Sequence, residues 1–269
     1  MNKNSTQHAL IEIRDHIMII RLNRPEKRNA LSPDMLVRVY DAWRELDKNN
    51  DLRCALITGT NDVFCSGADL SAMYSGDQGN EEIQKRMKDI PDLHWQALLR
   101  HNRPYKPILA AVEGFALAGG TEILHGSDIR VASETATFGL TEAKRGLFPL
   151  GGATVRIPRQ IPYTLAADML LTGRRITAQE AKEYGLIGHI SKPGKAFDKA
   201  LELALQVAEN SPVSIKAIMK SLRDLHGETS EKEALEKELE LGWPVFESED
   251  AKEGLSAFSE KRKAIFKGK

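Results

Sequence analysis

The sequence predicts an α/β protein of repeated ββα units with parallel crossovers, closed by a helical C-terminal region. Three observations carry that prediction. Short apolar strand patterns alternate with helical or loop segments, the order that layered sheets with crossover connections require. An apolar run, Val112-Glu113-Gly114-Phe115-Ala116-Leu117-Ala118, breaks at Gly119-Gly120 and starts a helix. From Ala196 onward helix follows helix. No sequence repeat marks the individual units.

Residues 10–14 and 16–22 read as an antiparallel pair around a tight turn. Ser32-Pro33 supplies an N-cap and a first-turn proline for a helix whose buried stripe is Leu36, Val39, Tyr40, Trp43 and Leu46. Residues 54–58, 108–112 and 128–132 are further strands. Residues 76–80 predict a mobile loop, and 81–103 a helix broken at Pro91. Pro162 opens a helix through Leu165, Met169 and Leu170 that ends at Gly173. Thr177-Ala178-Gln179-Glu180 is a capping box for a helix closed by Gly185. Ser211-Pro212 and Gly227 break the later helices, and 229–240 is charged enough to predict a solvated face.

Composition narrows the function classes. A chain of 269 residues with 41% apolar content can bury a substantial core. Lys plus Arg equals Asp plus Glu at 38 each, so no global positive field draws nucleic acid or a membrane surface. Cys54 and Cys65 form neither a disulfide framework nor a metal-ligand spacing, and they suit a reducing compartment. Residues 1–8 lack the apolar core of a secretory signal, and no apolar run approaches a membrane span. The ending Phe266-Lys267-Gly268-Lys269 is not a peroxisomal signal of the Ser-Lys-Leu kind. The expected setting is the cytoplasm.

Two carboxylates direct the functional reading. Glu122 follows the Gly pair, and Glu142 lies twenty residues on in Thr137-Phe138-Gly139-Leu140-Thr141-Glu142. A strand-to-helix junction leaves backbone N–H groups unpaired at a helix N-terminus, where partial positive charge gathers. An N–H aimed at a developing oxyanion, with two carboxylates nearby, is equipment for proton transfer beside a carbonyl. The small residues of Val63-Phe64-Cys65-Ser66-Gly67-Ala68-Asp69-Leu70 would let a ligand lie close against the backbone.

With these motifs the chain resembles the crotonase (enoyl-CoA hydratase/isomerase) superfamily over nearly its whole length. The resemblance rests on Asn23-Arg24-Pro25 through Leu31, on Ser66-Gly67-Ala68-Asp69, on Gly119 to Glu122, and on Glu249-Asp250 through Gly254 to Phe258, Lys261 and Arg262. It implies a crotonase-like spiral of ββα units over 1–195 carrying the active site. A helical region over 196–269 would pack against a neighbouring subunit in a homotrimer or dimer of trimers. It also implies backbone donors at Ala68 and Gly119 for a thioester oxyanion, Glu122 as the base on water, and Glu142 as the acid toward the α-carbon. Arg28, beside Lys27, with Ala30, Ser66, Asp69 and Leu70, would grip the coenzyme A of an acyl-CoA substrate. Phe258 and Lys261 resemble positions that reach a neighbour's nucleotide. Coenzyme A enters as part of the substrate, with no other cofactor and no metal.

Keeping both glutamates favours hydration of a 2-enoyl-CoA, within fatty-acid or related acyl-CoA degradation. An enoyl-CoA isomerase or acyl-CoA hydrolase would use the same oxyanion hole, and a non-catalytic RNA- or partner-binding member lacks a basic patch. Three features point away from other chemistry. Glu122-x-x-His125 lacks the second Glu-x-x-His of a carboxylate-bridged metal site, which leaves His125 as a packed or capping residue. Cys65 has no histidine placed with it, and Gly151-Gly152 lacks the lysine of a phosphate loop. Leu150 puts bulk where the commonest hydratase pattern has glycine, as in bacterial relatives acting on bulky or sterol-derived acyl-CoAs. Met73, Tyr74, Met87 and Trp95 are the expected pocket walls.

Overall fold

Alternate residues of four consecutive strands point to opposite sides of one sheet, and both sides are dry. The computed structural model describes residues 7–60, 62–227 and 230–269. The expectations for residues 1–6 and for residue 229 lie outside these. β1 (Ala9–Arg14) and β2 (Ile17–Leu22) pair antiparallel. β2 then pairs parallel with β3 (Cys54–Gly59), with α1 (Pro33–Lys48) as the crossover. Ser32 accepts the Met35 N–H and Pro33 opens the first turn of α1, as the sequence predicts. Val39, Trp43 and Leu46 are buried there, joined by Met35, Val37 and Ala42, while Leu36 and Tyr40 are half-buried against the core.

The chain continues through α2 (Leu70–Ser75), α3 (Glu81–Asp89) and α4 (Leu93–Ala97). The break at Pro91 is as expected, but the helix stops at Ala97 rather than running to 103. Leu99 and Asn102 take positive φ of 58° and 52°, which no α-helix continues through.

Each following unit gives one strand to each of two sheets. β4 (Ile108–Val112) joins the main sheet and β5 (Phe115–Leu117) the small one, and α5 (Gly119–Gly126) follows. β6 (Ile129–Ser133) and β7 (Thr137–Gly139) repeat the step. Next come α6 (Ala153–Gln160), α7 (Tyr163–Thr172), β8 (Arg175–Thr177), α8 (Ala178–Glu183) and β9 (His189–Ser191). The main sheet has the order β1-β2-β3-β4-β6-β9, and the small sheet β5-β7-β8. This two-sheet progression is the predicted spiral of ββα units.

Met18, Ile20, Ala55, Ile57, Ile108 and Ala110 face the layer holding α1 and α5. Ile17, Ile19, Cys54, Leu56, Leu109 and Val131 face α9 (Ala196–Glu209). Burial on both faces is why these strands read as continuous apolar runs. Ala200, Ala204 and Ala208, one turn apart, let α9 approach the sheet closely. α10 (Pro212–Asp224), α11 (Glu231–Phe246) and α12 (Glu249–Glu260) complete the chain. No residue of α11 is buried, so the charged stretch is a solvated face within the described residues. Among those residues no helix is long and apolar enough to cross a membrane.

Candidate active site

The loop before α2 is built like an extra strand. The Ser66 N–H donates to the Arg28 carbonyl at 3.1 Å, the Leu31 N–H to Gly67 at 2.8 Å, and the Asp69 N–H to Leu31 at 3.2 Å. Alternation along such a ladder leaves the Ala68 N–H facing away from its partner strand. Asp69 caps α2 by accepting the Ser71 and Ala72 N–H groups at 3.1 Å each, and it pairs with Arg24 at 2.9 Å. Asn29, fully buried, accepts the Arg24 N–H and donates to the Thr60 and Val63 carbonyls. Arg24, Asn29 and Asp69 therefore brace the loop. The sequence shows these residues but not their mutual contacts.

The second backbone donor comes from the start of α5. Ala118 caps the helix with φ of 49° and ψ of −123°, a conformation rare for a residue with a side chain and held by its N–H bond to Gly139 at 2.8 Å. Gly119 is the first residue of the helix, so its N–H has no intrahelical acceptor. A side-chain carbon on Gly119 would lie 3.8 Å from the Ala68 nitrogen, so the two donors are neighbours. Among the described residues neither N–H finds a protein acceptor.

Glu122, one turn into α5, is 4% exposed and accepts the Ala153 N–H from the start of α6 at 3.3 Å. Burial, followed by the charge of Glu142, pushes its carboxyl up to about 7, against the Ala153 and Gly151 N–H groups that favour the anion. Glu142 opens a short 3₁₀ turn, Glu142–Arg145, and burial raises its carboxyl as well. Its Oε2 is enclosed without a protein partner. Both carboxyls are therefore held above the ordinary carboxylate range, so that one can keep its proton while the other is ionised.

The two backbone donors and the two carboxylates open on one cavity of about 690 Å³. Ala68, Gly119, Glu122 and Glu142 line it together, as do Arg28, Ala30, Ser66, Asp69 and Leu70. The expected pocket walls are half right. Met73 and Trp95 line the cavity, whereas Tyr74 is 96% exposed and Met87 packs on Ile83 and Leu93 under α1. Leu98, Leu147, Phe148 and the anticipated Leu150 supply the remaining apolar wall. Lys144, Arg145 and Arg175 also border it, unforeseen because Arg175 arrives from the small sheet.

Phe258, 87% exposed, and Lys261, the left-handed cap of α12, do not reach this cavity in their own chain. Cys65 is fully buried and its thiol is pushed up to about 12 by burial, so it is no nucleophile. Among the described residues no three His, Cys, Asp or Glu side chains converge as metal ligands.

Residues 12–269 match the family described as enoyl-CoA hydratase/isomerase. The chain belongs to that family. It is 49% identical to enoyl-CoA hydratase EchA19 of Mycobacterium tuberculosis over 263 residues, covering 97% of each chain. It is 34% identical to (E)-benzylidenesuccinyl-CoA hydratase of Thauera aromatica, covering 96% of this chain and 98% of the relative. A solved enoyl-CoA hydratase from Mycobacterium tuberculosis superposes with a TM-score of 0.88 at 36% identity, over 98% of this chain and all of that one. Within this enoyl-CoA hydratase/isomerase fold, the paired N–H groups lie where the strand-to-helix junction and the 66–69 loop meet, and the paired carboxylates lie beyond them.

Proposed function

We propose that the protein is an enoyl-CoA hydratase, adding water across the 2,3 double bond of a 2-enoyl-CoA thioester. The observation that carries this reading is the convergence of two unbonded backbone N–H groups and two buried carboxylates on one cavity. The Ala68 and Gly119 N–H groups hold the thioester oxygen, which makes C3 electrophilic and stabilises the enolate that forms. Losing one such donor typically costs roughly 3–4 kcal/mol of transition-state stabilisation. Glu122 takes a proton from water as the oxygen attacks C3, and Glu142 gives a proton to C2. The positive end of α5 adds to the stabilisation of the oxyanion.

Lys27, Arg28, Ala30, Ser66 and Leu70 border the cavity and suit the phosphates and pantetheine of coenzyme A. Asp69 supports them by fixing Arg24 and the start of α2. The bulky wall of Trp95, Phe148 and Leu150 supports a large acyl group, sterol-derived or aromatic, within acyl-CoA degradation. The relative named for benzylidenesuccinyl-CoA fits that size.

We place residues 1–195 as the catalytic core and 196–269 as the assembly region of a homotrimer or dimer of trimers. Exposed Leu239, Trp243, Phe246, Leu255 and Phe258 support that placement. In such an assembly Phe258 and Lys261 reach a neighbour's coenzyme A. Sedimentation should give a trimer or hexamer, and deleting residues 245–269 should weaken both assembly and coenzyme A affinity. A cytoplasmic setting and the absence of any cofactor beyond the substrate's coenzyme A complete the proposal.

The test is incubation with crotonyl-CoA and with longer, branched and polycyclic enoyl-CoAs, following loss of enoyl absorbance. Migration of the double bond would instead indicate an isomerase, and free coenzyme A a hydrolase.

A further inference from the structure

Unpartnered polar atoms inside this protein are not scattered. Among the described residues seven buried side-chain nitrogen or oxygen atoms lack a protein partner, and five of them belong to His125, Arg156, Gln160 and Arg223. Glu122 and His125 are one turn apart on α5. Ala153, Arg156 and Gln160 recur at three and four residues along α6, on the helix face turned toward them. The contacts follow that register. The Ala153 N–H reaches Glu122, and Gln160 Nε2 donates to the His125 carbonyl at 3.0 Å. The charge of Arg156 is felt by both Glu122 and His125. Arg156 Nη2 continues outward to the Arg100 carbonyl, and Arg103 and Arg223, both paired with Asp128, stand beyond it. A polar seam thus runs from the catalytic carboxylate, between two helices, to a half-exposed cluster of arginines.

From this arrangement we propose that the seam between α5 and α6 is a hydrated passage that carries water between Glu122 and the surface at Arg156. It is distinct from the cavity that takes the acyl-CoA, and the inference rests on the hydratase reading above. A buried polar atom left alone keeps the full cost of its lost hydration, so the four of His125, Arg156 and Gln160 at this helix seam demand occupants. Water fits them, and an anion does not. His125 is fully buried, and burial together with the charges of Arg130 and Arg156 holds its basicity well below the usual histidine range. The ring is therefore neutral, with one donor and one acceptor nitrogen. Arg156 Nη1 only donates and Gln160 Oε1 only accepts. An anion would be repelled by the two acceptors, whereas water alternates between the roles and bridges such a set.

The chemistry gives the passage a purpose. Each hydration consumes one water, whose oxygen bonds to C3 while a proton is delivered to C2, and each dehydration returns one. A bound acyl-CoA fills the cavity on which Glu122 opens, so its own entrance is closed to water while it is there. A second route lets water exchange before the thioester dissociates.

Isotope partitioning reads this directly. The substrate is a 3-hydroxyacyl-CoA carrying oxygen-18 at C3 and carbon-13 in the acyl chain, incubated with a large unlabelled enoyl-CoA pool. Oxygen-18 lost from the carbon-13 hydroxyacyl-CoA reports water exchange within the complex, and carbon-13 entering the enoyl pool reports release. In the native enzyme, oxygen-18 loss should exceed release several-fold. His125→Phe and Gln160→Leu, which replace polar atoms by apolar bulk, should bring the ratio to one or below, and His125→Asn should restore it in part. Should one variant misfold by circular dichroism, the other decides alone. A native ratio below one, or a folded apolar variant that keeps the native ratio, would overturn the passage while leaving the hydratase reading intact. An enzyme with no hydration of any enoyl-CoA would remove both.

Discussion

Gly151 stands directly against the carboxylate of Glu122: a side-chain carbon there would lie 2.5 Å from Oε2 and 2.7 Å from the carboxyl carbon. The Gly151 and Ala153 N–H groups meanwhile favour its ionised form. Gly151 therefore serves close approach to the catalytic base, not to a phosphate. Leu150, the residue before it, turns instead into the wall of the cavity.

Gly151→Ala should accordingly displace Glu122, because the three atoms nearest the methyl all belong to its side chain and none to the backbone. Misplacing a catalytic group by about 1 Å can cost ~100-fold in rate. We expect kcat on the best enoyl-CoA to fall toward that size while the melting temperature moves little. Normal turnover in a folded Gly151→Ala enzyme would show that the position of Glu122 is not critical.

Glu122→Gln and Glu142→Gln each remove one partner of the proton transfer while keeping shape. Each should lower kcat by at least ~100-fold, the low end for general acid–base catalysis. Because the pair acts as a unit, the double variant should lose little more than the worse single one. Near-full hydratase activity in either single variant would remove that carboxylate from the mechanism.

The Glu122→Gln substitution also tests the electrostatics through stability. Burial and Glu142 raise the Glu122 carboxyl from 4.5 to about 7 in the folded protein. The folded state thus holds this proton more tightly than the unfolded chain does. The resulting stability is complete below pH 4.5 and is lost as the pH rises through 7. The amide of the Glu122→Gln variant never ionises, so that variant should melt higher than the native protein above pH 7, by an equivalent of about 1–3 kcal/mol. The advantage should vanish toward pH 4.5 and shrink in a Glu142→Gln background, where the like charge is gone. Melting curves across pH measure this, and a pH-independent difference would contradict the burial of an ionising group.

What the sequence revealed divides along physical lines. Strands of the main sheet are buried on both faces, so 54–58 and 108–112 read as unbroken apolar runs and match β3 and β4. β5, β7 and β8 have three residues each, too short for any periodicity to show, and the second sheet therefore went unseen. α6 was hidden by Pro158 within it and by Arg156, a charged residue on the face it turns to α5. In the site, the glutamates and small residues are local signals. The brace of Arg24 on Asp69 spans 45 positions and becomes visible only in the folded chain.

Leu150 offers a test of substrate size. It is half-exposed at the cavity wall beside Phe148, with no polar bond to break. Leu150→Gly enlarges the apolar pocket by a side chain worth about 1.5–3 kcal/mol when buried. We expect kcat/KM for short crotonyl-CoA to fall by about 10-fold, the scale on which one or two methylenes are discriminated. Polycyclic enoyl-CoAs, which the larger pocket still fills, should keep more of theirs. Parallel loss for both substrates would place Leu150 outside the acyl path.

Gly119 gives the sharpest test of the oxyanion hole. Its N–H must point at the thioester oxygen, and Gly119→Pro deletes that donor. Proline also disfavours the ψ of −123° that Ala118 holds before it, so some strain in the turn is expected. Activity should fall by ~100-fold or more, the cost of losing one hole donor. Gly119→Ala keeps the N–H, but its methyl would sit 2.8 Å from Leu31 Cδ1, at the tip of a side chain that can shift. A milder loss follows. In both variants turnover should suffer more than binding, because the hydrogen bond strengthens as the oxygen gains charge. The measurement is kcat and substrate Kd for each, with circular dichroism as the control for folding. A folded Gly119→Pro enzyme that turns over normally would mean that the oxygen is held elsewhere. Glu122 and Glu142 would then need a different electrophile to serve.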